Sequence, residues 1–238
     1  MEFASTDVER QRRYYVETAH LYDSMHLNKK DEHFLALSFL ISSFEYLGIR
    51  SVLDIGAGTG RALQYIKKHR PDVMLRGVEP VEELRKVGYE KGLAEDELIY
   101  GDGMNLHFER EQFDLVCEFG VLHHVKRPEK VVAEMIRVAK KAIFISDCNN
   151  FGQGPVAIRT IKQMLNHLGL WKIADFIKTR GKGYCISEGD GISYSYSVFN
   201  NLKQIKKSCK KIHMFNTKTA EPDLYKTASH IALLAIKN

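Results

Sequence analysis

The run Ser51-Val52-Leu53-Asp54-Ile55-Gly56-Ala57-Gly58-Thr59-Gly60 constrains this chain more than any other stretch. Apolar and β-branched residues lead into alternate glycines, and Ala62-Leu63-Gln64-Tyr65-Ile66-Lys67-Lys68 then carries a helical pattern. The order is strand, tight turn, helix. Glycine at 56, 58 and 60 lets the backbone turn sharply and lets a ligand approach without a Cβ in the way. The helix behind the turn aims its unpaired N–H groups and positive dipole end at whatever lies on the loop.

The glycines are followed by Arg61, where a dinucleotide fingerprint has another intervening residue and then glycine. Asp54 stands two residues ahead of Gly56; a carboxylate there repels a pyrophosphate and suits an ammonium or sulfonium charge. Glu79 closes the next apolar run, Leu75-Arg76-Gly77-Val78, at the distance from the glycines where an acidic side chain meets ribose hydroxyls. Tyr100-Gly101-Asp102-Gly103 ends a third run and brings a further carboxylate to the same sheet edge.

With these residues in this order, 51 to about 147 resembles the core of the class I S-adenosylmethionine-dependent methyltransferases. The resemblance implies S-adenosyl-L-methionine as the cofactor. Asp54, Gly56, Ala57, Gly58 and Gly60 then frame its methionine end. Glu79 and Pro80 stand at the ribose, and Asp102, Gly103 and Met104 at the adenine. Glu118 and Phe119 end the fourth strand beside it, while Tyr14 and Tyr22 belong to N-terminal helices that close over it. A nicotinamide-binding Rossmann unit is the competing reading, disfavoured by Asp54 and by the missing glycine of the fingerprint.

Strands and helices alternate along the core, which argues for a parallel sheet covered on both faces. We expect an α/β, Rossmann-like sheet of seven strands, mostly parallel with an antiparallel last strand, plus N-terminal helices and a lid insertion after strand 5. The expected organisation is a single methyltransferase domain over 1–238. It comprises a helical cap (1–48), a cofactor-binding core (49–148), a substrate lid (149–197) and a C-terminal helix with a strand pair (198–238). Thr6-Asp7-Val8-Glu9 reads as a capping box opening the first helix. A second helix is expected from Asp31 to Leu47, ended by Gly48, and Pro80 suits the first position of the helix after strand 2. Strand 3 is expected from Glu97 to Tyr100. In the insertion, Ile158, Ile161, Leu165 and Leu168 share one helix face, and a hairpin puts Ile192, Tyr194, Tyr196 and Val198 on one side.

Methyl transfer is an in-line displacement that needs the acceptor held close, water excluded, and a proton removed from a neutral hydroxyl or amine. The segment after strand 4, Val121-Leu122-His123-His124, resembles the Val-Leu-His-His motif of small-molecule methyltransferases related to quinone-biosynthesis enzymes, the type 11 group. His123 or His124 is the expected general base; the alternative is that the pair only shapes the cofactor loop. Ala139-Lys140-Lys141-Ala142 replaces the Lys-Pro-Gly-Gly turn usual in those relatives, so a quinone or sterol substrate is not implied. Asp147 and Asn149 at the end of strand 5, with Tyr194 and Tyr196 of the hairpin, are the expected substrate contacts. Carboxylates and tyrosines together suit a polyhydroxylated or amine acceptor. The expected reaction is O-methylation of a hydroxyl on a sugar or secondary metabolite.

Other readings are an RNA or protein methyltransferase and a non-catalytic S-adenosylmethionine-binding partner subunit. A net charge of +5 gives the former weak support. Lys203, Lys206, Lys207, Lys210 and Lys211 sit at helical spacing and read as a solvated face, so nucleic acid is not the expected partner. The base-methylating motifs Asn/Asp-Pro-Pro-Tyr and Pro-Cys are absent. Cysteines 117, 148, 185 and 209 have no C-x-x-C spacing, and no metal is expected. With no long apolar span and no basic n-region, the expectation is a cytoplasmic monomer or homodimer acting on a small molecule.

Overall fold

A computed structural model describes residues 6–26 and 30–237. Helix α1 (Asp7–Thr18) opens on the capping box: the Thr6 hydroxyl accepts from Glu9 N while the Glu9 carboxylate accepts from Thr6 N at 2.7 Å. After α2 (Tyr22–His26), the expected single helix divides into α3 (Glu32–Ser42) and α4 (Phe44–Leu47). Ser43 makes the break, its hydroxyl bonding the Leu40 carbonyl at 2.7 Å in competition with the helical ladder. Gly48 ends α4 at φ 62°.

The alternating core follows as β1 (Ser51–Ile55), α5 (Arg61–His69), β2 (Met74–Val78), α6 (Glu82–Glu90), β3 (Leu98–Ile99) and β4 (Phe113–Phe119). Then come α7 (Pro128–Val138) and β5 (Ala139–Cys148). Pro80 precedes α6 rather than opening it, because Val81 is the N-cap. Strand β3 is shorter than expected: the Glu97 carboxylate turns back to cap Ala94 N at 2.8 Å. Ala139-Lys140-Lys141-Ala142 forms the start of β5, joined to α7 without a turn. Helices α8 (Val156–His167) and α9 (Trp171–Lys178) and the hairpin β6 (Tyr184–Ser187) and β7 (Gly191–Tyr194) lie between β5 and α10 (Leu202–Lys206). Strands β8 (Lys211–Asn216) and β9 (His230–Ile236) complete the fold.

The main sheet has seven strands in the order β3-β2-β1-β4-β5-β9-β8. Strands β1 to β5 pair in parallel, and β9 runs antiparallel between β5 and β8. Alternation along each strand divides the core. Leu53, Ile55, Val116, Ile143 and Ile145 pack with Val131, Val132 and Met135 of α7. Val52, Leu115, Cys117 and Phe144 pack on the other face with Leu37 and Leu40 of α3 and Leu63 and Ile66 of α5. Each such side chain contributes roughly 1.5–3 kcal/mol of burial, enough to hold the carboxyl ends of β1 and β4 as a rigid floor. The strand order reverses between these two strands, where open α/β sheets bind ligands.

The hairpin roofs that edge by docking on α1. The Ile192 N–H donates to Gln11 Oε1, and Gln11 Nε2 donates to the Asp190 carbonyl at 3.1 Å. The Tyr194 hydroxyl donates to Asp7 Oδ2 at 3.2 Å. Residues 195–198 leave the hairpin and return to the main sheet, Ser197 bridging Asn149. Tyr196 is therefore not on the face of Tyr194: it is 2% exposed in the core, its hydroxyl donating to Asn201 Oδ1 at 2.9 Å.

Candidate active site

Two adjoining cavities open at the carboxyl ends of β1 and β4. One, of about 330 Å³, is largely apolar and lined by Ile55, Gly58, Glu79, Pro80, Val81, Asp102, Gly103, Met104 and Val131. The other, of about 510 Å³, is polar and lined by Asp54, Ala57, Arg61, His33, His123, Asp190 and His230. Tyr15, Tyr22, Gly56, Phe119, Gly120 and His124 line both, so the two cavities form one site with a waist.

The glycine loop builds the waist. Gly56 and Gly58 hold φ of 64° and 56°, which L side chains rarely adopt. A Cβ on Gly58 would stand 3.0 Å from the Tyr22 hydroxyl, so the loop and α2 approach closely only because that atom is missing. Gly60 lies away from both cavities; a Cβ there would strike Leu93, which makes its role the packing of α5 on the sheet.

Carboxylates mark both halves. Glu79 is buried, its two oxygens accepting from Val81 N at 2.9 Å and Gly58 N at 3.0 Å. Burial pushes its pKa up to about 7 against those hydrogen bonds. Asp54 is 3% exposed and meets Cys117 Sγ at 3.7 Å; burial raises it to about 7 as well. Neither makes an ion pair among the described residues, so each is a buried anionic site whose charge a cation would stabilise. Asp102 accepts from Met104 N at 2.9 Å and pairs with Arg12 at 3.2 Å. Glu118 stands outside both cavities: it is fully buried, one oxygen accepts from Val121 N, and burial followed by the Asp147 charge pushes its pKa well above the usual carboxylate range. Tyr14 also lies off the site, donating to the Glu188 carbonyl at 2.9 Å, and its neighbour Tyr15 lines the waist instead.

A histidine pair closes the polar cavity. His123 Nδ1 is 2.8 Å from Asp147 Oδ1, and its Nε2 is 3.3 Å from Asp190 Oδ2. Burial works to lower the His123 pKa, but Asp147 and then Asp190 push it up to about 10. The ring is therefore an imidazolium clamped by two carboxylates while Asp190 is in place. Asp147 is fully buried and also accepts from Leu122 N at 2.8 Å, which makes it the orienting partner of His123 rather than a group exposed to an acceptor. His124 Nε2 is 3.1 Å from the Tyr15 hydroxyl and 3.2 Å from Asp190 Oδ1. Its Nδ1 lies against the Ile192 carbonyl.

Of the expected substrate contacts, Asn149 is the one the structure places furthest from that role. It is fully buried, and its Nδ2 donates to the carbonyls of Leu224, Tyr225 and Ala228 while Oδ1 accepts from Ser197 Oγ. Tyr194 lines a third cavity of about 330 Å³ that runs under the insertion and shares His123, Asp190 and His230 with the polar one. His33 and His230 carried no sequence signal. They meet edge to face at 5.3 Å, and burial lowers the His33 pKa to about 3, so this wall of the cavity is neutral imidazole.

A family model described as a methyltransferase domain matches residues 53–145. A phosphatidylethanolamine N-methyltransferase of Cereibacter sphaeroides is 30% identical over 138 residues, 50% of this chain and 61% of that protein. A demethylmenaquinone methyltransferase of Thermotoga maritima is 32% identical over 91 residues, 38% of this chain and 39% of that protein. The chain thus spans less than two thirds of the length of these relatives. Among solved structures, the magnesium protoporphyrin IX methyltransferase of Synechocystis with bound S-adenosylmethionine superposes with a TM-score of 0.60 at 15% identity, covering 100% of both chains. Residues 53–145 thus match a methyltransferase domain, and the sheet order around them is that of a fold shared with solved S-adenosylmethionine-dependent methyltransferases.

Proposed function

We propose that this chain methylates a hydroxyl oxygen of a small polar acceptor seated in the polar cavity. The single observation that carries the reading is the Asp147–His123 pair, whose second nitrogen, Nε2, meets Asp190 at the wall of that cavity. Bound S-adenosylmethionine supplies an electrophilic methyl group on a sulfonium. The residues fit it: an apolar slot with Glu79 and Asp102 for a nucleoside, then Asp54, which makes no ion pair among the described residues, for the charged end.

The acceptor hydroxyl takes the place of the Asp190 carboxylate at His123 Nε2. With one of its two carboxylates exchanged for a neutral group, His123 holds its second proton less tightly. Nε2 releases that proton to solvent before the acceptor is sealed in, and the resulting neutral imidazole, favoured as pH rises, is the base. Asp147 keeps Nδ1 protonated and Nε2 turned to the acceptor, and the hydroxyl proton passes to Nε2 as the oxygen attacks. Tyr15, Tyr22 and the docked hairpin exclude water from the waist.

A second reading, transfer to an amine nitrogen, draws on the carboxylates of the polar cavity and on relatives named as N-methyltransferases. A neutral amine needs no base for attack, so the readings separate kinetically. We would incubate the chain with isotopically labelled S-adenosylmethionine and a metabolite extract, identify the methylated product by mass spectrometry, and repeat with His123→Ala. A hydroxyl product with a rate loss of about 10²–10⁴ supports the first reading. An amine product with a rate within a few fold of native overturns it.

A further inference from the structure

Helices α8 and α9 carry their amphipathicity the wrong way round for elements that cover a core. On α8 it is the polar side chains that face the protein. Buried Lys162 donates to the carbonyls of Asn150 and Gln153, Gln163 to those of Phe151 and Lys226, and Asn166 to the Tyr225 hydroxyl. Most of the apolar stripe that the sequence puts on one face is turned outward instead: Ile158, Ile161 and Leu168 are 50%, 48% and 59% exposed, and Leu165 is half-buried. Helix α9 repeats the arrangement. Trp171 is pinned inward by its N–H on Ser195 Oγ at 3.0 Å, while Ile173, Phe176 and Ile177 are 60%, 59% and 70% exposed. A stripe at this spacing ordinarily faces a core, and a contiguous exposed one marks an interaction surface.

Charge identifies the occupant. Residues 156–182 contain Arg159, Lys162, Lys172, Lys178, Arg180 and Lys182 against Asp175 alone, an excess equal to the whole chain's +5. Elsewhere the formal charges balance. Lys172, Arg180 and Lys182 are exposed and form no ion pair among the described residues. A second copy of the chain would bring the same excess against itself, whereas an anionic lipid surface complements both the cations and the apolar stripe. No helix of the described residues is long and apolar enough to cross a membrane, which fits an element lying on the surface. Lys178 and Thr179, at the end of α9, also line the cavity that reaches His123 and Asp190.

We propose that α8 and α9 form a membrane-surface docking element. It seats Ile158, Ile161, Leu168, Ile173, Phe176 and Ile177 in the headgroup boundary of an anionic bilayer, with Lys172, Arg180 and Lys182 against the phosphates. The acceptor-side cavity is thereby tied to the lipid surface through α9. The proposal is independent of the reaction assigned above, and its test reads no activity.

The full chain is sedimented with vesicles of phosphatidylglycerol mixed into phosphatidylcholine, and with phosphatidylcholine alone, at about 0.1 M and 1 M salt, where screening lengths are about 10 Å and 3 Å. The native chain is expected to pellet with the anionic vesicles and to release at high salt. Phe176→Ser with Ile177→Ser is expected to lower the partition coefficient at least tenfold, and Lys172→Glu with Lys182→Glu to remove the preference for phosphatidylglycerol. Circular dichroism verifies that each variant is folded, and Ile173→Ser serves if the double variant is not. Failure of the native chain to pellet, equal pelleting with both vesicles, or apolar variants that pellet like the native chain would overturn the proposal. So would a vesicle-free dimer that Phe176→Ser dissociates, since the face would then belong to a second copy.

Discussion

Replacing Asp190 by asparagine isolates the half of the histidine clamp that belongs to the hairpin. In the native chain His123 lies 2.8 Å from Asp147 and 3.3 Å from Asp190, and its pKa stands at about 10 although burial opposes the charge. An opposite charge at such range shifts a pKa by about 1–3 units. The Asp147 side chain is fully buried, whereas that of Asp190 is 42% exposed and screened by solvent. The Asp190 share therefore falls at the lower end, roughly 1–1.5 units, and Asp190→Asn should bring His123 to about 8.5–9. Because the folded pKa lies above the unfolded value near 6.5, the clamp contributes stability that is complete below about 6.5 and lost as pH rises through about 10. In the variant the loss starts at the same pH but is complete about one unit earlier, so the clamp's total contribution is smaller. The assay is a titration of histidine ring resonances by NMR, with His123 assigned through His123→Gln, alongside thermal melts from about pH 6 to 10. A native His123 that titrates near 6.5, or one that the substitution leaves unmoved, would refute the clamp and the proton path built on it.

Three further outcomes follow from the same geometry. Asp54→Asn should weaken S-adenosylmethionine binding in calorimetry by about 10–100-fold, the value of a charge-assisted contact, without lowering the melting temperature of the free protein. Asp54 and Glu79, raised to about 7 by burial, contribute stability to the free protein that is complete near their unfolded values and lost as pH rises through about 7. Affinity for the cationic cofactor should run the opposite way, rising between about pH 6 and 8, and a flat profile would contradict the burial argument. Asn149→Ala strands three carbonyls and should cost about 2–4 kcal/mol in denaturant melts. In the folded fraction it should leave the acceptor KM unchanged, whereas a direct substrate contact would raise it.

The parts of this molecule that were legible in the sequence are those fixed by short-range geometry. Glycines at 56 and 58 need positive φ, and Glu79 and Asp102 follow strands β2 and β3, whose apolar runs set their register, so their gathering at one edge follows from the chain order. Contacts that depend on the path of a long connection were not legible. Whether Tyr196 shares the face of Tyr194 turns on where the hairpin stops, and the chain leaves it at 194. Asn149 reads as polar at a strand end, yet it satisfies the backbone of residues 224–228, far along the sequence. Periodicity showed that α8 has an apolar face but not which way it turns. That is decided by Lys162 and Gln163 finding carbonyl partners inward.

The central claim is that the acidic glycine loop clasps a cationic nucleoside rather than a pyrophosphate. Calorimetric titration of the native chain with S-adenosylmethionine, and separately with NADH, tests it most directly. Saturable one-to-one binding of S-adenosylmethionine, weakened by Asp54→Asn and with no heat from NADH, is the expected result; saturable NADH binding with none for S-adenosylmethionine would contradict it.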